Sequence, residues 1–241
     1  MTREALGRFF PGDVHHEEGF HRAVEAHLPY RGRLLDLGCG TNEEMARYRG
    51  GEREVWGADF HAHSQLRHAD WFRLLGPSGE IPFPDNHFDI IGAVMVLEHV
   101  ADPGRFLGEV RRVLRPGGVF VGHTVSAAHY VTWVRRAFGV LPHVLIQSLV
   151  RRLYGRPCED TFPALYRMNS ERALRRACGR AGLSLEALRR YACPCYFRFS
   201  RAARHLATMT DWALEQLRPG WGRLYFTVTL RKPAQGQIKA A

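Results

Sequence analysis

The chain has 241 residues, 45% hydrophobic and 24% charged, with 34 Lys and Arg against 24 Asp and Glu. That mix excludes a disordered, collagenous or coiled-coil chain. The length suits one domain of about 200 residues or two smaller ones, with a core large enough to need neither disulfide nor metal. The charge is uneven: residues 1–124 carry 14 basic and 18 acidic side chains, whereas residues 125–241 carry 20 and 6. A basic second half fits an anionic substrate, a membrane surface, nucleic acid, or simply an arginine-rich composition.

The longest apolar stretch, Val140 to Val150, is broken by Pro142, His143 and Gln147 and is too short to span a bilayer. The opening residues lack an apolar signal core, so a cytoplasmic location is expected. The cysteines are Cys39, Cys158, Cys178, Cys193 and Cys195. Their odd number argues for reduced thiols, and their spacing lacks the paired C-x-x-C knuckles of a structural zinc site, so no metal is expected.

Taken in order, Arg33–Leu37 is a short apolar run ending in glycine, as a buried parallel strand should be. Thr41 or Asn42 caps a helix over 42–48 with Glu43 and Glu44 in its first turn. Glu54–Ala58 and Phe88–Met95 read as the next strands. Asp102 caps a helix with Pro103 at its first position and Phe106, Leu107, Val110 and Leu114 on one face. Arg115-Pro-Gly-Gly118 stops it, and Val119–Gly122 starts another strand. Residues 128–155 predict two basic amphipathic helices broken near Pro142. A capped helix follows over Asn169–Ala181, then a strand over Leu183–Tyr191, a helix over Arg201–Leu217 and a strand over Arg223–Arg231, with a frayed tail from Lys232. His15, His16 and Phe20 are placed on an N-terminal helix covering the ligand. The βαβαβ rhythm predicts an α/β fold, a mainly parallel Rossmann-like sheet with helices on both faces. We expect a single domain over 1–241: a cover helix in 1–30, a cofactor-binding core in 31–124, a helical cap in 125–168 and completion of the sheet in 169–232.

The chemistry centres on LLDLGCGTN, Leu34 to Asn42. A strand ending in G-x-G and turning into a helix makes room for a ligand and points free amide N–H groups at it. Asp59, 19 residues beyond Gly40 at the end of the next strand, is placed to accept both hydroxyls of a ribose. Glu43 stands where a dinucleotide fingerprint wants its third glycine and would repel a pyrophosphate. This disfavours NAD and FAD and favours a phosphate-free, positively charged cofactor. Asp36 adds a second acid facing such a ligand.

These segments, with VWGADF, EIPFPDNHFDII, VLEHVADP and FLGEVRRVLRPGGVFV in order, resemble class I S-adenosylmethionine-dependent methyltransferases of the small-molecule type over roughly residues 30–124. The resemblance implies a seven-stranded sheet of order 3-2-1-4-5-7-6 with the last strand antiparallel, and S-adenosyl-L-methionine as cofactor. Gly38, Cys39 and Gly40 would flank its methionine part, Asp36 would sit near its amino group, Asp59 would hold the ribose and Phe60 would lie against adenine. Val94 and Met95 would line the methionine moiety by backbone contacts. The acid that many members carry for the adenine amine falls here near Leu75 or Gly76, leaving apolar packing, main chain or a shifted Asp70. Related quinone and small-RNA methyltransferases use an E-x-x-E-H metal site; Met95 replaces its first Glu and leaves only Glu98 and His99.

His99 and His123, past the ends of the fourth and fifth strands, are the candidate general bases, because a neutral imidazole can take a proton from an attacking hydroxyl. Tyr130, Tyr166 and Arg167 are candidate acceptor contacts, the arginine favouring an anionic or amphiphilic acceptor. The expected activity is methyl transfer to a small-molecule hydroxyl, with an amine second. A lipid, polyprenyl or nucleic-acid acceptor and a non-catalytic cofactor-binding protein are the competing readings. No obligate nucleic-acid partner is expected, since neither an N/D-P-P-Y/W motif nor an RNA-binding module is present. Residues 130–156 read as an acceptor lid with weak membrane-surface contact.

Overall fold

The computed structural model describes residues 7–41, 43–62, 70–138, 163–193 and 200–234. Its described strands form one seven-stranded sheet of order β3-β2-β1-β4-β5-β7-β6, with β1 Arg31–Leu37, β2 Glu52–Asp59, β3 Trp71–Leu74, β4 Phe88–Val94, β5 Leu114–Val125, β6 Ser184–Tyr191 and β7 Tyr225–Arg231. The pairs β1–β2, β1–β4, β2–β3 and β4–β5 are parallel. Strand β7 runs against β5: His123 meets Thr227, whereas Gly117 and Gly118 meet Lys232. The expected fold class is the observed one.

The described helices longer than one turn are α1 His16–Glu25, α3 Pro103–Val113, α4 Tyr130–Phe138, α5 Glu171–Ala181 and α6 Arg201–Leu217; α2 is the single turn Glu43–Ala46. Local chemistry sets their ends. The Asp102 carboxylate accepts from the amides of Gly104 and Arg105 at the start of α3, and Ser170 and Ser200 cap α5 and α6. Gly182 closes α5 in the left-handed conformation.

Three details depart from the sequence reading. The helix after the G-x-G loop is one turn rather than two, and Asn42 lies outside the described residues. Leu114 belongs to β5 and not to α3: the register jumps from Phe88↔Leu114 to Ile90↔Val119, so Arg115–Gly118 bulge out instead of separating helix from strand. Lys232 is anchored rather than frayed, its ammonium donating to Asn86 Oδ1 and the Leu114 carbonyl, both at 2.7 Å. The second helix expected near Pro142 lies outside the described residues.

The chain forms two compact units, one of residues 1–19, 125–164 and 190–226, the other of 20–124, 165–189 and 227–241. The second holds most of the sheet. Its core packs Phe20 and Val24 of α1, with Met45 and Tyr48, against Leu34, Val55, Ile90, Val119 and Val121. In the first unit, Arg223 is tied to Asp13, Glu215 and the Arg190 carbonyl and lies 5.6 Å from the Phe10 ring centre. Cys39 and Cys178 are free thiols as expected, but Cys193 is disulfide-bonded to a partner outside the described residues.

Candidate functional site

Strand β1 lies between β2 and β4, which are reached by connections of opposite sense, so a crevice opens beyond the carboxyl ends of these strands. The register aligns Leu37 with Ala58 and Asp36 with Gly92, setting the Gly38–Gly40 loop beside the end of β2. Gly38 (φ +72°) and Gly40 (φ +49°) both need the left-handed region. A Cβ on Gly38 would collide with the Val96 side chain, whereas one on Gly40 would meet no atom within 4 Å. The first glycine is therefore required by packing and the second borders open space.

The loop amides are not free, contrary to the expectation from the motif. Gly38 N and Cys39 N both donate to the Ala58 carbonyl, at 2.7 and 3.2 Å. Gly40 N donates to Asp59 Oδ2 at 2.8 Å, and Phe60 N to Asp59 Oδ1 at 2.6 Å. The turn spends its donors on holding β1 against β2, so it is no anion cradle. Each Asp59 oxygen keeps a second lone pair for an outside hydroxyl. Phe60, the next residue, is 48% exposed and offers a ring face at the same place.

What the loop presents is negative potential. Asp36 is buried on β1 and accepts from the Met45 amide; burial first, then Glu44 and Asp59, push its carboxyl up to about 8. Glu44 is held the other way: the His21 ring, 3.0 Å from its Oε2, keeps its carboxyl below the ordinary range. His21 is fixed from behind by the Tyr48 hydroxyl, 2.8 Å from Nδ1. The sequence reading missed Glu44 and His21, because an acid in a first helical turn reads equally well as a dipole partner. Cys39 is buried, and burial with Asp36 and Asp59 pushes its thiol up to about 12, so it is inert at neutral pH.

Beyond β4, Met95 adopts φ +56° and donates its amide to the His123 carbonyl at 2.8 Å. A non-glycine residue in that region is strained, and here the strain turns the chain sharply at the crevice. Val94 ends β4 with Met95 next to it, both half-buried, and the turn Leu97–His99 carries a half-buried His99. His123 differs: it is 1% exposed, with Nδ1 2.9 Å from Thr227 Oγ1. Glu98 is buried; its carboxylate accepts from Thr124 Oγ1 at 2.7 Å, and the Asn169 amide donates to the same hydroxyl at 2.8 Å. With Glu98 committed inward and Met95 in place of an acid, the E-x-x-E-H donor set is not present. Asp70 is also displaced. It accepts from Val55 N and pairs with Arg49, four residues before the carboxyl end of β2, so it cannot serve the adenine end. Leu75, whose amide donates to the Asp59 carbonyl at 2.9 Å, does lie at that end.

The acceptor candidates separate. Tyr166 is buried at φ +54°, its amide donating to the Glu98 carbonyl, and Arg167 is exposed and donates to the Ala101 carbonyl. Tyr130 belongs to the other unit, where its hydroxyl hydrogen-bonds Asp211 and burial pushes its pKa up. Beside it, His129 Nε2 lies 3.2 Å from Asp211 Oδ1, both residues buried, but outside hydrogen-bond alignment.

Comparison with known proteins gives the same reading. The chain matches the methyltransferase-domain family over residues 15–188. A ubiquinone biosynthesis O-methyltransferase of Cereibacter sphaeroides is 35% identical over 125 residues, 44% of this chain and 47% of that protein. A ubiquinone/menaquinone biosynthesis C-methyltransferase of Burkholderia mallei is 30% identical over 117 residues, 42% and 48% of the two chains. The chain thus spans about half the length of the curated relatives it matches. A SAM-dependent methyltransferase structure from Methanosarcina mazei superposes with a TM-score of 0.57 at 17% identity, covering 92% of this chain and all of that one, which shows the shared fold. Sheet order, glycine turn and family match agree: the chain belongs to the class I S-adenosylmethionine-dependent methyltransferases.

Proposed function

We propose that the protein transfers the methyl group of S-adenosyl-L-methionine to a hydroxyl of a small-molecule acceptor, anionic or amphiphilic in character. The observation that carries the cofactor is the acid set around an open glycine turn. Asp36, Glu44 and Asp59 suit a cation, and the commitment of the Gly38, Cys39 and Gly40 amides to Ala58 and Asp59 disfavours a phosphate. The residues therefore fit the cofactor that the family uses. Asp59 would hold the ribose, Phe60 and the main chain near Leu75 the adenine, and Asp36 and Gly38–Gly40 the amino-acid end. The cofactor supplies an electrophilic methyl, so the protein's work is alignment and proton removal.

Of the two histidines, His99 is the better base, because it sits half-buried on the turn beyond β4 while His123 is enclosed and engaged with Thr227. An O-methyltransferase and a C-methyltransferase among the relatives leave the acceptor atom to experiment. The deciding experiment follows S-adenosylhomocysteine release over a panel of hydroxylated and amine acceptors. Turnover on a hydroxylated acceptor, reduced at least 100-fold in His99→Asn with cofactor affinity retained, supports the reading. No cofactor binding by the unaltered protein overturns it.

A further inference from the structure

Helix α6 is inverted. A helix of a water-soluble unit turns apolar side chains inward and polar ones outward. In Arg201–Leu217 the buried residues are Ala207, Thr208 and Asp211, while Leu206 (67% exposed), Met209, Trp212 and Leu217 (80% exposed) face out. With Ala202 and Ala213, residues 206, 209 and 217 form one stripe at helical spacing. The neighbouring helix α4 adds exposed Trp133 and Val134. Just past α6, the Trp221 ring lies 5.9 Å from that of Trp133, and the Arg218 guanidinium sits over it at 4.9 Å. All of these residues belong to the first unit.

The charge on this surface has one sign. Its arginines are Arg135, Arg136, Arg201 and Arg218, and α4 contains no acid. The two acids of α6 are turned away. Asp211 lies against His129 and Tyr130, and Glu215 binds Arg223 and the amides of Gly220 and Gly222. Exposed leucine, methionine and tryptophan flanked by arginine, with every acid withdrawn, is the pattern of a helix lying in the interface of an anionic bilayer.

We propose that the outward face of α6, with Trp133 and Val134 of α4, docks this protein on an anionic lipid surface. No described helix is long and apolar enough to cross a membrane; the contact proposed is a peripheral one. The proposal does not depend on methyl transfer, since binding is read without turnover.

The test is co-sedimentation of the full chain with phosphatidylcholine vesicles, with and without about one-third phosphatidylglycerol. Partition onto the anionic vesicles should exceed that onto neutral ones at least tenfold and fall with salt. Leu206→Ser with Met209→Ser should lower it at least tenfold, because both side chains would leave hydrocarbon contact. Arg135→Gln with Arg136→Gln should lower it about fivefold per charge removed. As a second reading on the unaltered protein, brominated phosphatidylglycerol should quench its tryptophan emission. Equal binding to neutral vesicles, unchanged binding by the serine pair, or absent quenching overturns the proposal. So does a dimer in solution that the serine pair dissociates without any vesicle binding, or retention on an oligonucleotide that the serine pair leaves intact and vesicles do not match.

Discussion

On the proposed reading, Asp36 should link cofactor binding to a proton. Buried beside Glu44 and Asp59, its carboxyl is raised from an ordinary aspartate value to about 8. At pH 7 roughly nine-tenths of the empty protein then holds the proton. A cation seated against this carboxyl favours the ionised form, so binding should release close to one proton at pH 7. The apparent affinity for S-adenosylmethionine should rise about tenfold per pH unit up to pH 8 and flatten above it. Stability runs the opposite way. The unfolded chain ionises near pH 4 and the folded one near 8, so the folded state binds the extra proton between them. Stability contributed by this group is full below about pH 4 and is lost as pH rises through 8. The loss amounts to at most about 6 kcal/mol, since each unit corresponds to about 1.4 kcal/mol, and local relaxation reduces it.

Asp36→Asn keeps an acceptor for the Met45 amide and removes the charge. The empty variant should melt several degrees higher than the parent at pH 8.5 while binding the cofactor at least tenfold more weakly. Calorimetric titration in two buffers of different ionisation enthalpy counts the released protons. Proton release that persists unchanged in Asp36→Asn, or an affinity flat from pH 6 to 8, would refute the linkage.

The two loop glycines should respond differently to the same change. Gly38→Ala should cost about 2–3 kcal/mol of stability in denaturant unfolding, because its Cβ meets Val96. Gly40→Ala should cost about 1 kcal/mol for its backbone alone but weaken cofactor binding at least tenfold in calorimetry, its methyl occupying the open side. Asp59→Ala should remove measurable cofactor affinity and, by leaving the Gly40 and Phe60 amides without their acceptor, lower stability by about 1–2 kcal/mol. Asn169→Leu leaves the buried Thr124–Glu98 pair without its amide donor and should lower stability by about 2 kcal/mol in a chemical melt. Asp211→Ala, by taking the acceptor from the Tyr130 hydroxyl, should cost about 1–2 kcal/mol in the same measurement.

Pattern sufficed where an element carries one apolar stripe or a continuous apolar run. Helix α6 spans the residues its pattern indicated, and β1, β2 and β4 differ from expectation only at their ends. Strand β3 went unseen because Trp71–Leu74 is a four-residue edge strand with no inward alternation to mark it. The bulge at Arg115–Gly118 carries the same proline and glycines as a terminating loop, and only its pairing with β4 tells the two apart. At the site, the glycine turn and Asp59 were legible from spacing. The role of the loop amides was not, since a motif cannot say whether a donor is already taken by a neighbouring strand. The same holds for His21, whose contact with Glu44 joins residues 23 apart in sequence. The inverted face of α6 was invisible for a related reason: hydrophobic spacing marks a stripe but not the direction in which it points.

Strand β7 lies between β5 and β6 yet comes last in chain order among the described strands. Until residues 225–231 emerge from the ribosome, β5 keeps a bare row of backbone donors and acceptors along a nearly all-buried strand. A nascent or truncated chain ending near residue 220 would therefore carry the whole glycine turn and still present a sticky ribbon to its neighbours. Chaperone dependence and inclusion-body formation are to be expected of C-terminal deletions long before the crevice itself is touched.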